Sequence, residues 1–534
     1  MILFPRPPLR ALAAAVTLAL GVALAPAASA QGGTGTIKVV LQTQLKILDP
    51  VLTPAYSTRN HGYLVYDTLF AMDDKANPQP QMVDTFTVSP DKLTYTFKLR
   101  PGLKFHDGTP VTGDDVIASL RRWSERDQMG ARLMASTETL TSPEPSTFVF
   151  KLKRPYGLTI ETLGKQGSPV PFIMPKRIAS VPASQAITEA IGSGPYKFVA
   201  ADFQPGVKST YLKNTDYVPR KETASAFAGG KIAMADRIEV VSIPDVQTAV
   251  QALRTGEVDF VEDVQPDLMS QLEGVKGITV KSFGKHTDMF TLKMNWLQPP
   301  FNDVKVRRAA AYALSQPEFL EANIGDKRFY KVCKAMFTCG TALESTVGME
   351  GLIEGNMAKA KELLAEAKYD GALVVIPQPS DLGVIKQLAP VAKAQLEKAG
   401  FKVEVQPMDW QSMVTRLTTK KGPVTDGGWS AFGTSWVQVD ILDPLMTPNL
   451  AATCEKARAG WPCDAELEKL RDVFVGAGTP AEKKAAAEAV QKHAMQVVTH
   501  IPLGEWVGVW AVRSNIETPA VTAPITAFWG IGKK

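Results

Sequence analysis

DKLTYTFKLRPGLKFHDGTPVTGDDVIASLRRW, residues 91–123, joins three local structures whose order narrows the fold. In LTYTFKLR apolar and polar residues alternate with the two-residue period of a half-buried strand. RPGLKFHDGTP then carries two turn signals. TGDDV opens an amphipathic helix, with Thr112 as its N-cap, because a threonine hydroxyl there accepts a hydrogen bond from a first-turn N–H. Strand-like and helix-like segments alternate on either side. TGTIKVVLQTQ reads as an early strand, 356–367 as a helix that leads into the strand ALVVIP, and 384–399 as a helix stopped by Gly400 before FKVEVQP. A long helix is expected over 481–496, and IPLGEWVGVWAV returns the chain to a sheet. This is the pattern of an α/β protein whose sheets are covered by helices.

Residues 1–30 read as an export signal. Arg6 and Arg10 form a positive start, 11–25 an apolar run, and Ala28-Ser29-Ala30 a cleavage site, so the mature chain is expected to begin at Gln31. No cysteine follows the apolar run, which implies a free periplasmic protein and no lipid anchor. The run is also shorter than the roughly 20 residues that a membrane span needs. Losing Arg6 and Arg10 lowers the net charge from +5 to +3, too weak to imply nucleic acid or an acidic membrane surface as partner. A chain of 534 residues exceeds what one core usually supports, so two or more lobes are expected.

Cys333, Cys339, Cys454 and Cys463 fall as C-x5-C and C-x8-C. An even count in an exported chain favours disulfides over metal binding, and neither spacing is of the C-x2-C type that zinc sites use. Of the three possible connectivities, the short separations favour two local loops, Cys333 to Cys339 and Cys454 to Cys463. Each would contribute at or below about 3 kcal/mol. Enzyme signatures are near misses. GWSAF at 428–432 lacks the second glycine of a nucleophile elbow, and SFGK at 282–285 has no S-D-N or K-T-G to accompany it. His61, His106, His286, His493 and His500 are scattered, and neither H-E-x-x-H nor a phosphate-binding glycine loop occurs. No catalytic residue, metal site or cofactor is therefore assigned.

Residues 91–123 resemble the matching part of the family 5 solute-binding proteins of bacterial ABC importers, the periplasmic receptors for dipeptides, oligopeptides and nickel complexes. GYLVYDTLF (62–70) looks like the family's early helix, and GSGPYKF (192–198) like its return to the first lobe. YLKNTDYVPR (211–220), IPDVQTAVQALRTGEVDF (243–260) and NWLQPPFNDVKVRRAAAYAL (295–314) follow in the family's order. The resemblance implies a two-lobed periplasmic binding protein fold, type II and cluster C-like, with a small inserted domain. Lobe I would take 31–77, 190–292 and 497–534, the inserted domain 78–189, and lobe III 293–496, each boundary placed to within about ten residues. A hinge between the lobes would close them on a buried ligand. The implied function is a monomeric receptor that passes a short peptide or amino-acid derivative to an inner-membrane ABC permease. Metal chelates, haem, opines and oligosaccharides are the alternative ligands, and a periplasmic hydrolase is the rival of another class.

The same resemblance points to WSAFGTSWVQVDILDPL, 429–445, as the ligand-contact segment. In peptide-binding relatives an aspartate three positions before an Asp-Pro pair receives the peptide ammonium. Here Asp440 holds that place before Asp443-Pro444, with Trp436 and Trp429 as candidate aromatic walls. The other reading makes Asp440 and Asp443 caps of a following helix and both tryptophans lobe core. Val437-Gln438-Val439 and Ile441-Leu442 depart from the Gly, Asn and acidic residues often found there. On the opposite lobe Tyr56 and Arg59 precede the early helix, where Arg59 either meets a ligand carboxylate bidentately or is a solvated helix-start residue. The nickel-binding relatives place an arginine in the segment matching 168–174, which here reads SPVPFIM, without a basic residue.

Overall fold

Residues 91–123 fold as their periodicity predicts. In the computed structural model, which describes residues 35–518 and 525–534, Thr94–Leu99 is a strand with Tyr95, Phe97 and Leu99 buried and the residues between them more exposed. Gly113–Ser124 is a helix closed by a capping box: the Thr112 hydroxyl accepts from the Asp115 N–H, and the Asp115 carboxylate accepts from the Thr112 N–H at 2.8 Å. Its Val116, Leu120 and Trp123 point inward. The strand sits second in a four-stranded antiparallel sheet ordered Val83–Val88, Thr94–Leu99, Thr147–Leu152, Thr137–Glu144, with Phe97 stacked on Phe148 at 4.8 Å. The export-signal reading of 1–30 and the cleavage before Gln31 lie outside the described residues.

A seven-stranded sheet gathers segments far apart in the chain. Its order is Tyr196–Phe198, Lys208–Lys213, Arg237–Val241, Thr36–Val40, Phe260–Val261, Val509–Arg513, Ile278–Ser282. Thr36–Val40 runs parallel to both its neighbours, and Ile37 and Val39 carry it into the core. A second sheet, ordered Tyr330–Lys331, His500–Trp506, Asp288–Met294, Ala431–Val437, is antiparallel. Beside it Leu373–Pro379 pairs in parallel with Lys402–Met408, and helices Met357–Glu366, Leu388–Ala399 and Pro480–Val497 cover this part. Asp288–Met294, which straddles the start of 293–496, and His500–Trp506, just past its end, thus join the antiparallel sheet. The sequence IPLGEWVGVWAV crosses from that sheet into the seven-stranded one within a few residues.

The early helix differs from expectation at both ends. Helix Tyr56–Val65 already contains Tyr56 and Arg59, which the sequence placed before it. GYLVYDTLF is helical only to Val65, and Asp67–Thr68 and Phe70–Met72 are strands. The cause is the GSGPYKF segment. The Gly194 N–H donates to the Val65 carbonyl at 2.9 Å, taking the acceptor that a further helical turn would use. A Cβ on Gly192 would stand 2.1 Å from the same carbonyl oxygen, so only glycine permits the approach. His106 ties the turn of residues 101–110 to this junction: its N–H donates to the Gly192 carbonyl at 2.8 Å, and its ring lies against the Gly192 N–H and the Gly194 carbonyl. Cys333 is joined to Cys339 and Cys454 to Cys463, the two local pairs expected from spacing. Among the described residues no helix is long and apolar enough to cross a membrane.

Candidate functional site

Helix Tyr56–Val65 is anchored on its first turn by its own side chains. The Ser57 hydroxyl donates to the Gln44 carbonyl at 3.1 Å and the Thr58 hydroxyl to the Ile47 carbonyl at 2.7 Å. Further along, His61 meets Tyr211 of the seven-stranded sheet, Nδ1 to hydroxyl, at 2.9 Å. These bonds fix the direction of Arg59, which lies over the Tyr56 ring at 4.2 Å and is 4 % exposed. Opposite it, at the end of strand Ala431–Val437, stands Asp440, 3 % exposed, with Oδ2 3.7 Å from Arg59 Nη1. Asp440 Oδ1 accepts from the Ser168 N–H at 3.0 Å, and a Cβ on Gly167 would lie 2.2 Å from that oxygen. The Tyr56 hydroxyl accepts from the Val437 N–H at 3.1 Å, and the Tyr63 hydroxyl donates to the Gln166 carbonyl at 3.0 Å. Helix, the loop of residues 166–168 and strand end therefore converge on one buried ion pair.

At 3.7 Å that pair is an electrostatic contact without a close hydrogen bond. Arg59 Nε and Nη1 and Asp440 Oδ2 are buried with no hydrogen-bond partner. Burial, and after it the Asp440 charge, pushes the Tyr56 hydroxyl well above its ordinary range, so it stays neutral. Beside Arg59 a cavity of about 50 Å³ opens between the two large sheets, lined by Gln42, Thr43, Glu262, Asp263, Asp288 and Trp506 among others. It adjoins a larger one of about 150 Å³ through Gln42, Thr43 and Asp263, which line both. Gln42 and Asp263 follow the carboxyl ends of Thr36–Val40 and Phe260–Val261, the place where open α/β sheets bind ligands. Burial, helped by the Glu262 charge, pushes Asp263 up to about 6. Burial pushes Asp288 well above the carboxylate range, with Arg59 opposing and Asp440, Asp263 and Glu262 reinforcing.

Of the residues singled out in the sequence, Tyr56, Arg59 and Asp440 come together here, and the tryptophans do not. Strand alternation puts Ser435, which accepts from Trp506 Nε1 at 2.9 Å, and Val437 on the cavity side. Trp436 therefore points to the other face, where it packs against Met289, Cys333 and Ile441 with Arg458 5.7 Å from its ring. Trp429 is fully buried with Met413, Leu417, Phe432 and Trp461, a satellite core and not a cleft wall. Asp443 caps a turn, accepting from the Leu445 and Met446 N–H groups at 2.7 and 2.8 Å, and only the short 3-10 turn Pro448–Leu450 follows it closely, not an α-helix. Glu262, Asp263 and Asp288 went unremarked in the sequence. Their available signal was position: two acids just past a short buried strand, and one at the start of the next sheet.

A profile of bacterial extracellular solute-binding proteins, family 5 Middle, matches residues 77–458. The chain belongs to this family. It is a solute-binding protein with the family's two-lobed fold. It is 37 % identical over 502 residues to the probable peptide ABC transporter periplasmic-binding protein y4tO of Sinorhizobium fredii (strain NBRC 101917 / NGR234), with 93 % of each chain covered. Its fold is similar to that of the binding protein AgaA of A. tumefaciens R10 in complex with agropinic acid, with a TM-score of 0.78 at 22 % identity over 93 % of this chain and 97 % of that one. It is also similar to the periplasmic binding protein DppA of Helicobacter pylori in complex with the peptide STSA, with a TM-score of 0.76 at 21 % identity over 93 % and 98 %.

Proposed function

We propose that this protein is the receptor of a peptide importer: it captures a short peptide or amino-acid derivative between its lobes and delivers it, as a monomer, to an inner-membrane ABC permease. The observation that carries this reading is the Arg59–Asp440 pair, buried between the two large sheets with hydrogen-bonding atoms on both partners unsatisfied. A zwitterion offers what each partner lacks, a carboxylate for the guanidinium fork and an ammonium for Asp440 Oδ2. The printed name of the Sinorhizobium relative supports the peptide class. The lobes assigned above, 31–77 with 190–292 and 497–534 against 293–496, are part of the proposal. So is an exported chain that starts at Gln31.

Closure follows from differential affinity: a ligand bridging Arg59 and Asp440 stabilises the closed arrangement by the contacts that only this arrangement offers. No bond-breaking step is assigned. Native mass spectrometry of the exported protein tests the ligand class, since a retained adduct of peptide mass supports the reading and a haem, sugar or metal-chelate mass overturns it. Intact mass of the polypeptide tests the start at Gln31, which an uncleaved chain or an acyl adduct refutes.

A further inference from the structure

Three carboxylates, Glu262, Asp263 and Asp288, line the cavity beside Arg59, and Arg59 is the one cation among its described lining residues. They are not equally served. Glu262 accepts from the Gln42 N–H at 2.9 Å, from Asn60 Nδ2 at 3.2 Å and from the Thr526 hydroxyl. Asp263 has Gln42 Nε2 at 3.4 Å. The Asp288 carboxylate, at the start of strand Asp288–Met294, makes no side-chain hydrogen bond among the described residues and is answered by the charge of Arg59. Arg59 cannot neutralise them all, because it is held over Tyr56 and faces a fourth carboxylate, Asp440. A half-buried cavity with three acids on its wall, and one guanidinium that is itself turned toward a fourth, is short of positive charge, and partly desolvating such acids without a cation is unfavourable.

We propose that Asp263 and Asp288 form a seat for a cationic group of the ligand other than its terminal ammonium, so that the receptor selects peptides or amino-acid derivatives carrying a basic side chain. The inference rests on the receptor reading above, in which Arg59 and Asp440 take the termini. An organic cation fits better than a metal ion. The one group of metal-ligating atoms that converges among the described residues is Cys333, Cys339 and Glu505, and its two sulfurs are joined in a disulfide. The cavity of about 50 Å³ suits an ammonium or guanidinium head, and the larger cavity beside it, which shares the Gln42, Thr43 and Asp263 wall, offers room for the rest of the ligand. The upward push that burial gives both carboxyl groups is what an entering cation would reverse.

Calorimetry on the exported protein with three tripeptides, Ala-Ala-Ala, Ala-Lys-Ala and Ala-Glu-Ala, and with agmatine, a dication without a carboxylate, decides the matter. Ala-Lys-Ala is expected to bind roughly tenfold or more tighter than Ala-Ala-Ala, and Ala-Glu-Ala more weakly than either. In Asp288→Asn and Asp263→Asn the ratio of Ala-Lys-Ala to Ala-Ala-Ala affinity should collapse toward one. Thermal unfolding of the ligand-free variants serves as control and should show no loss of stability, since each substitution relieves repulsion among neighbouring carboxylates. Equal binding of the three tripeptides in the parent, or a lysine preference unchanged in both variants, overturns the cation seat and leaves the peptide reading standing. Binding of agmatine alone, lost in Asp288→Asn, upholds the seat and overturns the peptide reading. If no probe binds, both fall.

Discussion

Asp440 and Arg59 are each fixed by neighbours that leave a bonding atom idle, Ser168 and Gly167 behind the carboxylate and Tyr56 beneath the guanidinium. Asp440→Asn keeps the shape and removes the charge, so affinity for the native ligand should fall by about 2–5 kcal/mol, the usual range for truncating one partner of a buried charge pair. Arg59→Lys should weaken binding despite the retained charge, because an ammonium lacks the planar fork. Trp436→Ala should leave affinity unchanged, as its ring lies on the face of Ala431–Val437 away from the cavity; calorimetry on the three variants checks all of this together. What the sequence revealed at this scale was chemistry attached to a motif, hence Asp440 before its Asp-Pro pair. What it concealed was which face of a strand a tryptophan occupies, because a bulky aromatic suits a cleft wall and a core equally well. Asp263 and Asp288 were concealed for another reason: acids in EVDFVEDV and KHTD read as ordinary solvated residues until two sheets are brought together over them.

Two glycines separate the stability of an element from the use of the site. Gly192 meets the backbone carbonyl of Val65, which cannot move without unwinding the helix end, so Gly192→Ala should destabilise the protein by about 1–3 kcal/mol or more, read as a lowered midpoint of thermal unfolding. Gly167 meets the Asp440 carboxylate at 2.2 Å and, less closely, the Val439 carbonyl at 3.0 Å, so Gly167→Ala should displace Asp440 and weaken ligand binding while costing less stability than Gly192→Ala. The elements themselves were largely legible, because local signals and tertiary packing agree in them: Thr112 caps its helix, Asn356 caps Met357–Glu366, and Gly400 ends Leu388–Ala399 with a φ of 110°. They disagree at the early helix. There the run GYLVY would carry a helix further, and a carbonyl captured by Gly194, some 130 residues downstream, ends it at Val65.

Across the whole molecule two buried histidines and one half-buried are distributed over separate parts of the fold: His61 against the seven-stranded sheet, His500 in the antiparallel sheet, and half-buried His106 in the turn of residues 101–110. Burial lowers His61 to about 3, His106 to about 4 and His500 to about 3, the last also repelled by Lys293. The unfolded chain takes up protons near 6.5 and the folded one does not, so their contribution to stability is present above about pH 6.5 and is lost progressively as pH falls toward 4 and 3. Asp263, raised to about 6, acts in the opposite sense: the folded state binds its proton first, which stabilises the ligand-free protein as pH falls from about 6 to the ordinary carboxylate value. Asp288, Asp443 and Glu505 are raised as well and act with Asp263. Carboxylates held low, Asp73, Asp107, Glu222 and Glu239 among them, act with the histidines, so the groups that lose stability in acid are the more numerous. The unfolding midpoint of the ligand-free protein should fall steadily from pH 7 to pH 4, and the double variant His61→Gln with His500→Gln should show a flatter slope over that interval. Because these groups are spread through one compact unit of residues 35–534, acidification should lower a single transition. Scanning calorimetry checks both points: a midpoint independent of pH, or a transition that splits in two below pH 6, would show that the buried histidines do not govern the acid response.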